Sequence, residues 1–247
     1  MYIKKLLVKV KAILKSSSFT NSVSRFFYGF MPLHLKERVS GLSQNPYSDV
    51  ENNNKIIFVH VPKCAGNAIM KSLFGVKGQG HNKLSDYYQY DKDRFRDFYK
   101  FSIVRDPVSR FISAYDYLIQ GGMGSYDKQF RDEILVSFRD IDAFVEKLEE
   151  DPKFRKKVMS WTHFIPQSEF YDVDGVLALD FLACYDSLDV AYDFLKSKLG
   201  VNEQTGLQKV NVTKGGLSKI SPKVQDFVKK NYDKDFIYYE KAKNTIS

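Results

Sequence analysis

Short apolar runs that each pass through a loop into a helix are the feature of this chain that most constrains its fold. Lys55–Val61 is a β-branched run of this kind, and a helical pattern follows it over Ala65–Phe74. Phe101–Val104 is a second run, after which Asp106 and Pro107 supply the N-cap and the first residue of another helix. Strands that alternate with helices form a mostly parallel sheet with helices on both faces. The sequence therefore predicts an α/β fold.

The same pattern continues toward the C-terminus. Gly175–Cys184 is a third apolar run and precedes a helical pattern over Leu188–Leu199. A Ser-Pro pair at 221–222 predicts the start of a final helix. With 247 residues, 43% of them hydrophobic, the chain is long enough for one well-packed core. We therefore predict a single domain over residues 51–247, with residues 40–54 as the linker that leads into it.

Residues 1–50 differ from the rest in charge and are predicted to form a basic amphipathic segment and linker. The chain carries 38 Lys and Arg against 30 Asp and Glu, and five of the basic residues fall within the first 15 positions. A helix over residues 1–18 is either a peripheral anchor on an anionic membrane or a surface helix packed on its own domain. Its apolar residues recur at the spacing of one helical face: Ile3, Leu6, Leu7, Val10, Ile13 and Leu14.

The two cysteines indicate a reducing compartment, and the hydropathy predicts no membrane-spanning helix. Cys64 and Cys184 are the two cysteines, and no second Cys or clustered His stands at a metal-ligand spacing. The sequence therefore predicts neither a disulfide framework nor a metal site. It has no apolar run of about 18 residues and no secretory signal, because lysines interrupt each apolar stretch at the N-terminus. We expect a cytoplasmic protein, peripheral at the inner membrane surface if residues 1–18 bind lipid.

The loop between the first predicted strand and helix has the composition of an anion site. Backbone N–H groups at the start of a helix lack partners and, with the helix dipole, favour a bound phosphate. Gly66 would allow a ligand to approach closely, and Lys63 would add a positive charge. An ordinary strand–helix connection is the alternative, and the Gly-x-x-x-x-Gly-Lys-Ser/Thr spacing of an ATP-binding loop is absent. The predicted binding residues are Lys63, Cys64, Ala65, Gly66, Asn67 and Ala68.

A second candidate anion contact follows the Phe101–Val104 run. Arg105 stands at the end of this run, and Ser109 and Ser113 lie four residues apart on one face of the following helix. An arginine and one or both hydroxyls in this arrangement can hold a phosphate together. The alternative is an arginine with a purely structural capping role.

The two motifs together resemble a known family. VPKCAGNA and VRDPVSRFISAY are similar to the 5′-phosphosulfate loop and the 3′-phosphate motif of the sulfotransferases that use PAPS (3′-phosphoadenosine 5′-phosphosulfate). The resemblance is greatest to the family 2-like carbohydrate group, which includes heparan and chondroitin enzymes and bacterial relatives, and it covers most of residues 55–240. It implies a P-loop-like parallel sheet, places Lys63 against the phosphosulfate and assigns the 3′-phosphate to Arg105 and Ser113. Family members often carry Thr or Ser after the loop glycine, where this chain has Asn67, whose amide can donate instead.

The resemblance also implies an activity, which is transfer of a sulfuryl group from PAPS to a hydroxyl of a carbohydrate or glycolipid acceptor, without a metal. Lys63 would stabilise the leaving phosphate. The base for the acceptor proton is predicted to be His81, in the region where relatives place a basic or catalytic histidine, with His60 and His163 as alternatives. Tyrosines would offer surfaces for stacking on sugars, among them Tyr87, Tyr88, Tyr90 and Tyr126.

Two other functions remain open from the sequence. A nucleotide kinase or NTPase with a degenerate P-loop would need Mg²⁺ and a carboxylate to hold it, and the sequence offers no convincing carboxylate partner for the loop. A non-catalytic module would bind anionic lipid or nucleic acid through its basic head, independently of Lys63 and Arg105. The preferred partner is the carbohydrate or glycolipid acceptor, and nucleic acid is not expected.

Overall fold

A computed structural model describes residues 45–78, 80–201, 206–208 and 218–245. The predicted amphipathic helix at the N-terminus lies outside the described residues. The strands, in chain order, are β1 (Ile56–Val59), β2 (Tyr99–Val104), β3 (Asp172–Val173), β4 (Val176–Leu177) and β5 (Phe181–Cys184). The helices are α1 (Asp49–Asn54), α2 (Gly66–Phe74), α3 (Leu84–Tyr90), α4 (Lys92–Asp97), α5 (Pro107–Ile119), α6 (Ser125–Phe130), α7 (Ile141–Glu150), α8 (Pro152–Met159), α9 (Ser168–Tyr171), α10 (Leu188–Lys198), α11 (Pro222–Asn231) and α12 (Asp233–Lys243).

A three-stranded parallel sheet in the order β1-β2-β5 forms the centre of the fold. Phe101 in β2 pairs with Phe58 of β1 and with Phe181 of β5. All four residues of β1 and all four of β5 are buried. Since successive strand residues point to opposite faces, burial of every residue means that both faces of the sheet are covered. Helices flank the sheet, and the predicted α/β fold with a parallel sheet is confirmed.

The two predicted strand–loop–helix units are also confirmed. β1 leads into α2, which has Ala65 as its N-cap. β2 leads into α5, where the carboxylate of Asp106 accepts the N–H of Ser109 at 2.7 Å and Pro107 is the first helical residue. Because β1 and β2 are parallel neighbours, the loops that follow them lie at the same edge of the sheet.

Residues 47–54 belong to the folded domain, contrary to the predicted linker. Ser48 caps α1 and forms a capping box with Glu51. Glu51 is buried and also accepts the N–H of Phe58 at 3.2 Å and the hydroxyl of Tyr87 at 3.0 Å. The polar residues that suggested a linker are those of a helix start. Tyr87 is itself buried here, so it offers no surface to a sugar.

The apolar run over Gly175–Cys184 forms two elements and not one strand. β3 and β4 form a short antiparallel hairpin, and β5 begins only at Phe181. Asp180 interrupts the run because its Oδ2 accepts the N–H of Lys100 at 2.7 Å and lies 2.9 Å from Nζ of the same lysine. The helix predicted over Leu188–Leu199 is confirmed to within one residue.

Helices between α5 and β3 carry aromatic packing that the sequence analysis did not predict. α7 packs against α8 and α11, and the ring centroids of Phe144 and Phe164 lie 5.7 Å apart. The predicted final helix is confirmed as α11, but a further helix, α12, follows it after Tyr232. α12 contacts β2 and β5, so it brings its buried Asp235 close to the carboxyl edge of the sheet.

Candidate active site

The loop between β1 and α2 has an unusual backbone. Lys63 has a φ of 69° and Ala65 has a φ of 60°, both in the left-handed region that is strained for residues other than glycine. Ala65 is the N-cap of α2, and its side chain makes no capping hydrogen bond. The N–H groups of Gly66 and Asn67, the first two helical residues, form no hydrogen bond to a described residue and are left for another acceptor. An uncapped helix start with a lysine before it is suited to an anion.

Two of the predicted loop residues, Cys64 and Ala68, already donate a hydrogen bond to another group of the protein. The N–H of Ala68 donates to the carbonyl of Ala65 at 2.9 Å, so it is used within the helix. It is therefore not left for a phosphate, contrary to the prediction from the sequence. Cys64 is buried, and its thiol donates to Oε1 of Gln167 at 3.1 Å. Burial raises the pKa of this thiol to about 11, so it stays neutral at pH 7.

The ammonium group of Lys63 lies over an aromatic ring. Its Nζ is 4.2 Å from the ring centroid of Tyr117, and no Asp or Glu of the described residues forms an ion pair with it. Burial, and then the neighbouring positive charge of Arg105, lower the pKa of Lys63 to about 8. At pH 7 the amine still carries its proton. Lys63 is thus a cation without a direct carboxylate partner, which is the state that can bind an anion.

Arg105 joins the two predicted phosphate motifs. Its Nη1 donates to the carbonyl of Lys63 at 3.0 Å, and its guanidinium lies 4.6 Å from the ring centroid of Tyr185, directly after β5. The loops after β1, β2 and β5 thus meet at the carboxyl edge of the sheet, where parallel α/β proteins bind ligands. A guanidinium has five N–H donors, so most of them remain for a ligand.

The predicted hydroxyl and amide contacts lie on the two helices behind these loops. Ser113 is half-buried on α5, and its hydroxyl makes no hydrogen bond to a described residue. Oδ1 of Asn67 on α2 accepts the N–H of Gly78 at 3.0 Å, which leaves both hydrogens of Nδ2. Each side chain thus keeps a donor that a phosphate can use.

Gln167 ties the two loops together, and the sequence analysis assigned it no role. Its side chain is fully buried, and its Oε1 accepts both the N–H of Arg105 at 2.9 Å and the thiol of Cys64. Its Nε2 donates to the carbonyl of Arg105 at 2.8 Å, and its own N–H donates to Oδ2 of Asp235 at 2.7 Å. A buried amide that bridges two loops leaves no periodic signal in a sequence.

Arg110 binds the backbone of the loop between β1 and α2. It is buried on α5, where its Nε donates to the carbonyl of Pro62 at 3.0 Å and its Nη1 donates to the carbonyl of Ile165 at 2.9 Å. Its Nη2 has no hydrogen-bond partner among the described residues. Arg110 therefore fixes the position of the loop that carries Lys63.

His60 is a core residue wedged between two glycines. A Cβ on Gly66 would lie 2.2 Å from its Cδ2, and a Cβ on Gly78 would lie 2.9 Å from its Nδ1. Its ring also stacks on that of Phe58, with centroids 5.7 Å apart. The sequence predicts that Gly66 makes room for a ligand, whereas in the structure its missing side chain makes room for His60.

His81 is oriented by one hydrogen bond. Its Nδ1 lies 2.7 Å from the carbonyl oxygen of His60, and because a carbonyl only accepts, this nitrogen carries the hydrogen. Its Nε2 is thereby left with a lone pair that can accept a proton. Burial of the ring, followed by the charges of His60 and His163, lowers the pKa of His81 well below its usual value. The residue retains solvent-exposed surface, which reduces this desolvation and allows contact with a substrate.

His163 is buried beside Tyr117, with the two ring centroids 4.9 Å apart. Its Nε2 lies 3.4 Å from Oδ1 of Asp127, and its Nδ1 has no hydrogen-bond partner among the described residues. Burial lowers the pKa of His163 despite the neighbouring carboxylate. Its ring centroid lies 6.1 Å from that of His81. The structure therefore brings all three candidate bases together, and His81 is the exposed one.

The described residues contain no group of three or more His, Cys, Asp or Glu side chains that could hold a metal ion. Within the same ranges, no helix is long and apolar enough to cross a membrane. Both cysteines are buried and free.

The structure is that of an α/β protein in which Lys63 and Arg105 meet at the carboxyl edge of a parallel sheet. A family model described as "Sulfotransferase family" matches residues 46–242. The chain therefore belongs to the sulfotransferase family as a family 2-like member, and the resemblance that its two motifs carry is confirmed. Sulfuryl transfer is the activity of this family, so the protein is a transferase. No curated protein and no solved structure matches the chain.

Gly66→Ala should destabilise the protein, because the new methyl group would overlap the ring of His60. The expected loss is about 1–3 kcal/mol of unfolding free energy, measured by urea denaturation. Gly206→Ala is the control, since a Cβ there meets nothing within 4 Å. The loss should largely disappear in a His60→Ala background. Equal stability of Gly66→Ala and the parent protein would show that His60 is not confined as described.

Proposed function

We propose that this protein transfers a sulfuryl group from PAPS to a hydroxyl group of a carbohydrate or glycolipid acceptor. The observation that carries the proposal is the hydrogen bond from Nη1 of Arg105 to the carbonyl of Lys63. It joins the two sequence motifs into one cradle with two cationic side chains. A donor with phosphate groups at both its 5′ and 3′ positions requires two such centres.

The donor would bind across the two loops. Lys63 and the N–H groups at the start of α2 would hold the 5′-phosphosulfate, and Nδ2 of Asn67 would supply the side-chain donor that a hydroxyl supplies in other family members. Arg105 and Ser113 would hold the 3′-phosphate. An arginine bonds to a phosphate through two parallel N–H groups, which gives both affinity and selectivity.

The reaction needs one positive charge and one base. The acceptor oxygen forms a bond to sulfur while the bond from sulfur to the 5′-phosphate oxygen breaks, and the electron pair stays on that oxygen. The ammonium of Lys63 stabilises this developing charge. The hydroxyl proton of the acceptor passes to the base. No metal takes part in this scheme.

His81 is the best placed of the three histidines to be the base. Its Nδ1 is occupied by the carbonyl of His60, its Nε2 holds a lone pair, and it is exposed. His60 is confined between Gly66 and Gly78. His163 is buried and directs Nε2 at Asp127, so an acceptor has less access to it.

An exposed rim beside Lys63 is the proposed acceptor surface. Met123 is 77% exposed, and its N–H donates to the hydroxyl of Tyr117 at 2.9 Å, so the rim adjoins the ring below Lys63. Tyr126 is 37% exposed. An aromatic face is a surface on which a sugar ring can stack, and a methionine side chain adds adaptable apolar contact. A glycolipid acceptor would also agree with the membrane interpretation of residues 1–18.

Isothermal titration calorimetry with adenosine 3′,5′-bisphosphate tests the donor assignment. We expect this nucleotide to bind more tightly than ATP with Mg²⁺. Arg105→Ala and Ser113→Ala should each weaken its binding and barely change that of adenosine 5′-phosphate, because a charge-assisted contact is lost only where its partner exists. Preference for ATP with Mg²⁺ would favour the kinase alternative, and equal losses for both nucleotides would remove the assigned roles.

Lys63→Ala should slow the transfer step more than it weakens nucleotide binding. Loss of one stabilising charge corresponds to roughly 3 kcal/mol, or about a hundredfold in rate, in single-turnover measurements with PAPS. Affinity of the parent protein for adenosine 3′,5′-bisphosphate should also fall as the pH rises through about 8, where Lys63 loses its proton. Lys63→Ala should lack this fall. A parental transfer rate in Lys63→Ala would rule out the mechanism.

The cytoplasmic, membrane-peripheral location proposed from residues 1–18 has its own test. A chain without these residues should keep its affinity for adenosine 3′,5′-bisphosphate and no longer sediment with vesicles of anionic lipid. The full chain with neutral vesicles is the control. Unchanged sedimentation of the shortened chain would exclude the anchor.

A further inference from the structure

The aromatic ring below Lys63 is fixed at its far end. The hydroxyl of Tyr117 donates to Oδ2 of Asp127 at 2.8 Å and accepts the N–H of Met123 at 2.9 Å. Two hydrogen bonds to one hydroxyl hold the far end of the ring in position. The ring of Tyr117 is therefore kept next to Nζ of Lys63, which lies 4.2 Å from its centroid.

Asp127, which receives the hydroxyl of Tyr117, is itself enclosed. Its Oδ2 also accepts the N–H groups of Met123 and Gly124 at 3.3 and 3.4 Å, and its side chain is 14% exposed. A Cβ on Gly122, which has a φ of 57°, would lie 2.4 Å from the Cβ of Asp127. The glycine-rich turn before α6 thus wraps closely around this carboxylate.

The protonation states of this pair are well defined. Burial would raise the pKa of Asp127, but the hydrogen bond and charge of His163 and the hydroxyl of Tyr117 outweigh it and lower the pKa to about 2. Burial, and then the hydrogen bond to Asp127, raise the pKa of Tyr117 to about 12. The phenol therefore keeps its hydrogen and donates it to an ionised carboxylate. A neutral phenol ring carries partial negative charge on its face, which attracts an ammonium group.

We infer that Tyr117 is a positioning residue for Lys63: the face of its ring holds the ammonium in the anion site, and Asp127 fixes the ring. A carboxylate in direct contact with Lys63 would compete with the bound anion for the same charge. An aromatic face attracts the ammonium without competing for its hydrogen-bond donors. This inference deepens the proposed function and rests on it for the role of Lys63 in transfer.

Other charged and titratable groups also act on Lys63. Burial is the largest influence on its pKa, followed by the positive charge of Arg105, while Cys64, Asp127 and Asp116 act in the opposite direction. The lysine in turn helps to lower the pKa of His163. A test of the ring must therefore leave burial and all of these groups unchanged.

Stepwise fluorination of the ring at position 117 meets this requirement. Each fluorine withdraws partial negative charge from the face of the ring and changes the shape of the ring very little. Position 117 would carry phenylalanine and then its mono-, di- and trifluoro derivatives. The pKa of Lys63 would be followed by NMR of ¹³C-labelled lysine without nucleotide, with Lys63→Arg to assign the signal. We expect the pKa to fall in steps, by about one unit over the series. The same series at position 88 is the control, because the ring of Tyr88 lies 5.1 Å from Nζ of Lys92. It should leave the pKa of Lys63 unchanged.

The pH dependence of kcat/KM for sulfuryl transfer provides the second measurement, because it reports the ionisation of the free enzyme. Its high-pH limb should move to lower pH in step with the pKa of Lys63. A Lys63 pKa that stays constant along the fluorinated series would overturn the inference. The NMR titration needs no nucleotide. If the protein failed to bind adenosine 3′,5′-bisphosphate, the proposed function would be rejected, but the effect of the ring on the pKa of Lys63 would still stand.

A double-mutant cycle tests the part assigned to Asp127. Tyr117→Phe and Asp127→Ala should each lower kcat/KM about tenfold, since each removes the hydrogen bond that fixes the ring. The double variant should lose no more than either single one, with thermal unfolding measured alongside. Losses that multiply would show that Asp127 acts independently of Tyr117 and would overturn the anchoring role. All members of the fluorinated series lack the same hydroxyl and keep Asp127, so their comparison decides the role of the ring even if Asp127→Ala does not fold.

Discussion

The site depends on the buried amide of Gln167. It binds both backbone groups of Arg105 and the thiol of Cys64, so one side chain fixes the loop after β1 against the loop after β2. Asp235 holds the backbone of Gln167 in turn, although burial raises the pKa of this carboxyl. The carboxylate is compensated by two N–H groups, that of Gln167 and that of Ser168. Two loops that are distant in sequence are held together at one edge of the sheet by this chain of hydrogen bonds.

Within the described part of the chain, neither Lys63 nor Arg105 forms an ion pair with a carboxylate. Lys63 lies over Tyr117, and Arg105 lies over Tyr185 while donating to a backbone carbonyl. Aromatic faces stabilise both cations, yet they leave N–H donors for a ligand. Asp127 is close enough to influence Lys63, but its Oδ2 accepts from Tyr117 and from two backbone N–H groups, and its Oδ1 lies 3.4 Å from Nε2 of His163.

The sequence was sufficient for those parts of the fold that follow from local periodicity and capping. Asp106 and Pro107 marked the start of α5 correctly, and the apolar run before Lys63 predicted β1. The polar composition of residues 40–54 predicts a linker, but a capping box has the same composition, and residues 47–54 belong to the folded domain. The role of Gln167 could not be predicted, since its partners are 62 or more residues away along the chain. Tertiary hydrogen bonds of this kind have no local signature.

The confinement of His60 has a consequence for how such a chain can change over time. Its ring occupies the space that a side chain at either Gly66 or Gly78 would need. A side chain at either glycine would have to displace the ring of His60, whereas a smaller residue at position 60 would remove both restrictions at once. The three positions are therefore expected to vary together among descendants of a common ancestor, with the change at position 60 preceding the other two.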